Sequence, residues 1–138
     1  MSYSLGERRQ WCQSYPATAD SVPVARQELV RFAAEAGAPS DRVEAVRLAA
    51  SEAITNIVLH AYERTDGEIH VDADVAIGEL TVHIADDGTG LRPRCDKSGL
   101  GLGLALIAQA SDELDIVKRP EGGTDLRMRF TLDGGVAG

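Results

Sequence analysis

A carboxylate and an amide lie one helical turn apart in a segment whose other face is apolar. Glu52 and Asn56, with His60 one turn further on, recur at four-residue spacing within residues 47–62, and this spacing aligns side chains along one face of an α-helix. Such a pair is costly to bury beside a core-facing surface unless it holds a polar ligand. A solvated helix face is the alternative interpretation.

A second candidate group follows a strand-like segment. Asp86 has the same parity as the apolar residues Leu80, Val82 and Ile84, so it is predicted to point into the dry layer between sheet and helices. A lone carboxylate there needs a hydrogen-bond donor, and the exocyclic amine of adenine is a suitable one. Gly88 and Gly90 would let the backbone turn and approach a flat ligand closely. A strand that simply ends in an Asp-Gly turn is the alternative.

Three further glycines lead into a short helical pattern. Gly99, Gly101 and Gly103 alternate with leucines, and bare backbone amides at the start of a helix favour phosphate. No parallel-strand pattern precedes them and no Gly-Lys-Ser/Thr follows, so neither a Rossmann nor a Walker A loop is indicated. Downstream, Thr124 shares parity with Leu126 and Met128, which turns a second polar group toward the dry side. A satisfied core hydroxyl is the alternative there.

The surrounding elements predict how these groups are positioned. Helical patterns cover residues 24–36 and 40–62, and period-two alternation covers 68–77, 80–86, 114–116 and 126–132. A weaker strand is expected over residues 8–15, and a short helix over 104–110. Strands with only one dry face favour a mainly antiparallel, mixed sheet with helices on one side. The predicted fold is therefore an α/β two-layer sandwich.

Composition narrows the class of protein. We expect one domain over residues 1–138, with a core over about 8–132, and no apolar run suggests a membrane span or a signal peptide. Cys12 and Cys95 have no metal-ligand spacing and are expected to be reduced thiols in the cytoplasm. The net charge of −8 argues against direct binding to nucleic acid or an anionic membrane.

Taken in order, the motifs resemble those of the GHKL ATPase superfamily, which has the Bergerat nucleotide-binding fold. The resemblance rests on Glu52-x-x-x-Asn56-x-x-x-His60, Asp86-x-Gly88-x-Gly90, Gly99-x-Gly101-x-Gly103 and Gly123-Thr124. Within that superfamily, the segment SEAITNIVLHAY and the small size look like the bacterial anti-sigma-factor serine/threonine kinases. The resemblance covers residues 22–132.

The resemblance implies a role for each matching residue. Glu52 would be the general base, and Asn56 would give a side-chain oxygen to Mg²⁺. Asp86 would accept from the adenine amine of ATP, with Thr124 in support, while Gly88 and Gly90 would admit the adenine. The remaining glycines, which are Gly99, Gly101 and Gly103, would lie against the phosphates. His60 recurs in the family pattern and is expected to be structural.

The resemblance also implies partners. The expected activity is phosphorylation of an anti-sigma-factor antagonist on serine or threonine, together with binding of a sigma factor, by a cytoplasmic homodimer. Two alternatives stay open: a nucleotide-dependent binding module with little catalysis, and a detached histidine-kinase-type catalytic domain, whose pattern the run GLGLGLALI approaches.

The chain departs from the family pattern between its two glycine motifs. Only eight residues, 91–98, lie there, where many relatives have a longer lid. Arg92, Arg94 and Lys97 supply positive charge and are expected to contact phosphate, with Lys97 counted among the nucleotide-binding residues. A solvated basic loop is the alternative.

Overall fold

The computed structural model describes residues 9–61, 67–88 and 100–132. These residues form five strands: β1 (Arg9–Pro16), β2 (Glu68–Ala76), β3 (Glu79–Asp86), β4 (Glu113–Lys118) and β5 (Thr124–Thr131). Three α-helices accompany them: α1 (Ser21–Glu35), α2 (Ser40–Asn56) and α3 (Leu100–Ala110). A π-helical turn, Ile57–Ala61, continues α2 directly.

The strands form one sheet in the order β1-β2-β3-β5-β4. All four pairings among the described strands are antiparallel. The α1 and α2 helices pack against each other and α2 also packs against α3, so the helices form a layer of their own. The predicted two-layer α/β sandwich is confirmed, and the weakly predicted first strand is present as β1.

The core lies between the sheet and the helices because each strand turns alternate residues toward that side. Along β2 the residues alternate strictly between buried and more exposed, and β5 does the same. The helices contribute small residues to the contact, among them Ala49, Ala50 and Ala53 of α2, each at most 1% exposed. Small side chains let α2 lie close to the sheet, and this closeness determines which α2 residues reach the strand ends.

The strand register fixes which residues meet at the site. Asp86 is the last residue of β3 and lies opposite Ile69 of β2, while β5 begins at Thr124, opposite Lys118. Both Asp86 and Thr124 therefore lie at strand termini on neighbouring strands, and α2 packs against both of those strands. The topology places the two strand ends beside each other in the sheet and packs α2 against the strands that carry them.

Candidate functional site

Asp86 is buried at the end of β3, as its parity predicts. The residue is only 2% exposed. The backbone N–H of Gly88 donates to Asp86 Oδ1 at 3.0 Å, and the backbone N–H of Thr124 also donates to this carboxylate. Burial raises the pKa of Asp86 above its usual range, and Asp87 adds to the rise, whereas the two backbone donors and the Arg119 charge oppose it.

Gly123 is what allows the start of β5 to approach Asp86 so closely. Its φ is +100°, and a Cβ on this residue would lie 1.9 Å from the Asp86 carbonyl oxygen. A side chain is thus excluded both by the backbone conformation and by the neighbouring backbone. Gly123 was singled out from the sequence only by resemblance, and the structure supplies the physical reason for a glycine at this position.

Thr124 carries a buried hydroxyl that has no partner in the part of the chain that the structure describes. The residue is 3% exposed, and its Oγ1 makes no hydrogen bond there. A buried hydroxyl without a partner is costly, about 1–3 kcal/mol. The alternative interpretation was a core hydroxyl with a hydrogen-bond partner in the protein, and no described residue provides that partner. A ligand group could provide it.

The α2 helix presents a second buried polar group. Asn56 is its last residue and is 8% exposed, and its Nδ2 finds no partner within residues 9–61, 67–88 and 100–132. One turn earlier, Glu52 is half-buried and has neither a hydrogen bond nor an ion pair with any described residue. An amide can turn over to present its oxygen in place of its nitrogen, so Asn56 is suited to a cation as well as to an anion.

The π-helical turn ends the polar face at Asn56. It begins at Ile57, immediately after Asn56, and its wider hydrogen bonding rotates the residues that follow around the helix axis. Within this turn His60 is exposed, whereas Asn56 is buried and Glu52 is half-buried. The helix predicted to about residue 62 is α2 followed by this turn. Such wide turns are frequent at functional sites.

The remaining predicted residues fall into two groups. Gly88 is described and donates to Asp86, while Gly101 and Gly103 lie in the first turn of α3. Gly90, Lys97 and Gly99 lie outside the described residues, as do Arg92 and Arg94. The structure thus brings together the predicted residues of β3 and β5, on strands against which α2 packs, and the predicted lid residues lie outside the described residues.

Sequence reasoning missed a chain of hydrogen bonds beside Asp86. Arg119 Nη1 donates to the Asp86 carbonyl oxygen at 3.1 Å and to Asp87 Oδ1 at 2.8 Å. His70 Nε2 lies 2.6 Å from Asp87 Oδ2, and Ser14 Oγ lies 2.9 Å from His70 Nδ1. These residues come from four separate segments, so no local sequence signal could have joined them.

The side chains of the site can be compared with what Mg²⁺ and a purine base require. Among the described residues no group of three or more His, Cys, Asp or Glu side chains could hold a metal ion. Mg²⁺ does not require one, because it is commonly bound through one or two protein oxygens and substrate phosphates. The buried Asn56 amide, whose Nδ2 has no partner among the described residues, fits that role when it presents its oxygen, and the buried Asp86 and Thr124 fit the polar edge of a base.

Comparison with known proteins identifies the class. The family model of the histidine kinase-like ATPase domain matches residues 15–130. The solved structure of the RsbU and RsbW domains of a Mycobacterium tuberculosis protein has a TM-score of 0.72 and 24% identity over 90% of this chain. The present chain spans 32% of that longer protein. Fold and family match together define a histidine kinase-like ATPase domain.

Curated relatives narrow this class to a family. An anti-sigma F factor of Clostridium botulinum is 31% identical over 119 residues, which cover 76% of this chain and 82% of the relative. An anti-sigma F factor of Caldanaerobacter subterraneus is 29% identical over 115 residues, covering 75% and 80%. The chain belongs to the anti-sigma factor family of the GHKL superfamily. Within the described ranges, no helix has the length and apolarity to cross a membrane.

Proposed function

We propose that this protein is an ATP-dependent serine/threonine kinase that binds a sigma factor and phosphorylates the antagonist of that binding. The observation that carries the proposal is the coincidence of predicted nucleotide-binding residues with unpartnered buried polar atoms. Within the described residues only three buried side-chain atoms lack a partner, and two of them belong to Asn56 and Thr124. A bound nucleotide would supply partners that the described part of the chain does not.

The adenine would be recognised at the end of β3. Asp86 is held by backbone donors and has the acceptor character that an exocyclic amine requires. The Thr124 hydroxyl lies at the start of the neighbouring strand and can donate to or accept from the same base edge. Guanine has a carbonyl oxygen where adenine has its amine, so a carboxylate here disfavours GTP and favours ATP.

The phosphates would lie toward α2 and the start of α3. Asn56 would supply a side-chain oxygen to Mg²⁺, and the ion when bound neutralises charge on the phosphates. Gly101 and Gly103 in the first turn of α3 would offer backbone amides to phosphate oxygens, together with Gly99. We also propose Lys97 and Gly90 as nucleotide-binding residues.

Glu52 would act as the general base of the transfer. It would accept the proton of an attacking serine or threonine hydroxyl while the γ-phosphoryl group moves to that oxygen. No described residue neutralises or hydrogen-bonds this carboxylate, which supports a role that needs free acceptor oxygens. Asn56, one turn away on the same helix, would hold the metal end of the same substrate.

The partners are proposed from the relatives. The curated relatives are named as factors that act against sigma F, so we propose a sigma factor as one partner and an antagonist protein as the phosphoacceptor. We further propose a homodimer that works in the cytoplasm.

The kinase is tested by phosphate transfer from Mg-ATP to the proteins of a host lysate. Glu52→Gln should lower transfer by roughly 100-fold or more while ATP binding stays within about twofold. Glu44→Gln is the matched control, since Glu44 lies on the same helix but is exposed and paired with Arg47 at 3.2 Å.

The chemistry of the product separates the remaining alternatives. An acid-stable phosphoserine or phosphothreonine on one small protein supports the proposal, whereas an acid-labile phosphate indicates a histidine acceptor. Equal transfer by wild type and Glu52→Gln would remove Glu52 from its role. ATP binding with no transfer by any variant would favour a nucleotide-dependent binding module.

A further inference from the structure

We infer that Arg119 is a positioning residue for adenine recognition, acting through Asp86 at the end of a hydrogen-bonded chain that runs across the sheet. This inference rests on the proposed binding of ATP at Asp86. It adds a residue that lies in the β4–β5 turn, outside every motif of the sequence. This chain of contacts, the Asp87 clamp, consists of Ser14, His70, Asp87 and Arg119.

The first step is the hydrogen bond from Arg119 to the backbone of Asp86. Its Nη1 donates to the Asp86 carbonyl oxygen at 3.1 Å. The same turn holds itself together, since the Arg119 N–H donates to the Gly123 carbonyl at 3.0 Å and the Gly122 N–H donates to the Arg119 carbonyl at 2.9 Å. Gly123 in turn lies directly against the Asp86 carbonyl. The turn therefore holds the end of β3 from one side.

The second step is the opposing contact on Asp87. Arg119 Nη1 donates to one carboxylate oxygen at 2.8 Å, and His70 Nε2 lies 2.6 Å from the other. An ionised carboxylate can only accept, so Nε2 donates to Asp87, and the other ring nitrogen, Nδ1, lies 2.9 Å from the Ser14 hydroxyl oxygen. Asp87 is thus held from both sides, by the β4–β5 turn and by β2 and β1.

The third step is the consequence for the neighbouring residue. Asp86 and Asp87 are adjacent, so fixing the Asp87 side chain and the Asp86 carbonyl leaves the Asp86 carboxylate little freedom to shift. A single exposed ion pair contributes little to folding, and Asp87 is about half exposed. Recognition depends more steeply on placement, because a hydrogen bond weakens strongly when its angle or length is changed. The clamp is therefore expected to affect adenine binding more than stability.

The test is a thermodynamic cycle between protein and nucleotide. Dissociation constants of ATP and of purine riboside triphosphate, which lacks the 6-amino group, are measured by calorimetry for wild type, Arg119→Met and Asp86→Asn. Arg119→Met should weaken the binding of ATP by about three- to tenfold. It should weaken the binding of purine riboside triphosphate by less than twofold. Arg119→Lys should recover part of the loss, because it restores a charged donor.

The control is Arg129→Met, the same substitution at a comparably exposed arginine that is paired with Glu79 and Glu113 instead. It should change neither dissociation constant. If Arg119→Met does not fold, His70→Phe breaks the clamp at its other end, and the same cycle applies to it. A loss of equal size for both nucleotides, or no loss for either, would overturn the positioning role.

The failure of the clamp and the failure of the proposed function give different results. If wild-type protein binds neither nucleotide, the proposed ATP site fails. Asp86→Asn should lose most of the preference for ATP that wild type shows. If wild type binds both nucleotides equally well, or Asp86→Asn discriminates as strongly as wild type, the assignment of Asp86 fails. Only when wild type and Asp86→Asn behave as expected does the Arg119→Met result decide about the clamp.

Discussion

Replacing Gly123 by alanine should lower the stability of the fold and weaken ATP binding. Alanine substitutions at two other glycines with positive φ serve as controls for the cost of the backbone conformation alone. Gly123, Gly122 and Gly37 all have positive φ, at +100°, +115° and +102°. A left-handed conformation costs a non-glycine residue about 1–2 kcal/mol, so this contribution is common to all three. What differs is the space around the added methyl group.

The space available sets the expected magnitude. A Cβ at Gly123 would lie 1.9 Å from the Asp86 carbonyl oxygen and 2.8 Å from Asp87 Cα, whereas at Gly122 it would meet Gly88 O at 3.6 Å and at Gly37 nothing within 4 Å. Because the obstructing atoms are backbone, the strand end must move, which adds about 1–3 kcal/mol. Gly123→Ala should therefore lose about 2–5 kcal/mol of unfolding free energy.

Urea unfolding of the three variants measures the difference. Gly122→Ala and Gly37→Ala should each lose about 1–2 kcal/mol, and Gly123→Ala should exceed both. A small domain has about 5–15 kcal/mol in total, so Gly123→Ala is expected to remain partly folded and to bind ATP more weakly, since Asp86 is displaced. Equal losses for all three variants would refute the close approach of the two strand ends.

Two further predictions concern buried acid groups. Because burial raises the pKa of Asp86 on folding, the folded state holds more protons than the unfolded state between about pH 4 and the folded pKa. This group's contribution to stability therefore falls as pH rises across that window and is constant above it. Relative to Asp86→Asn, wild type should lose stability over that window, and a pH-independent difference in thermal unfolding would contradict it. Tyr15 Oη donates to Glu28 Oε1 at 2.5 Å, and burial first and Glu28 second raise the pKa of Tyr15 well above its usual range. Tyr15→Phe should cost about 1–2 kcal/mol, and a loss unchanged in the Glu28→Ala background, which has no acceptor, would show that the pair does not interact.

The fold was predictable because its signals are local. Alternation along β2 and β5 and helical spacing in α2 each depend on a few neighbouring residues. The inward direction of Asp86 followed from parity alone, and its 2% exposure confirms it. The helical spacing left open whether Asn56 is buried or solvated, and its 8% exposure decides for burial.

What sequence reasoning could not supply depends on contacts between distant segments. The Asp87 clamp joins residues of β1, β2, the end of β3 and the β4–β5 turn, and no spacing rule connects them. The π-helical turn after Asn56 was missed as well, since simple helical spacing predicted an uninterrupted α-helix to about residue 62. The close approach at Gly123 also became apparent only once β3 and β5 were adjacent.

The central claim is that buried polar groups at this site lack partners because a nucleotide provides them. Thr124→Val tests it most directly, because the two side chains have similar shapes and the hydroxyl is buried without a described partner. Calorimetric titration with Mg-ATP should show a roughly three- to tenfold weaker dissociation constant, with a thermal midpoint equal to or above that of wild type. Thr131→Val, on the same strand but only half-buried, should leave ATP affinity unchanged. Unchanged ATP affinity in Thr124→Val together with a lowered midpoint would contradict the account, because the hydroxyl would then serve the fold and not the nucleotide.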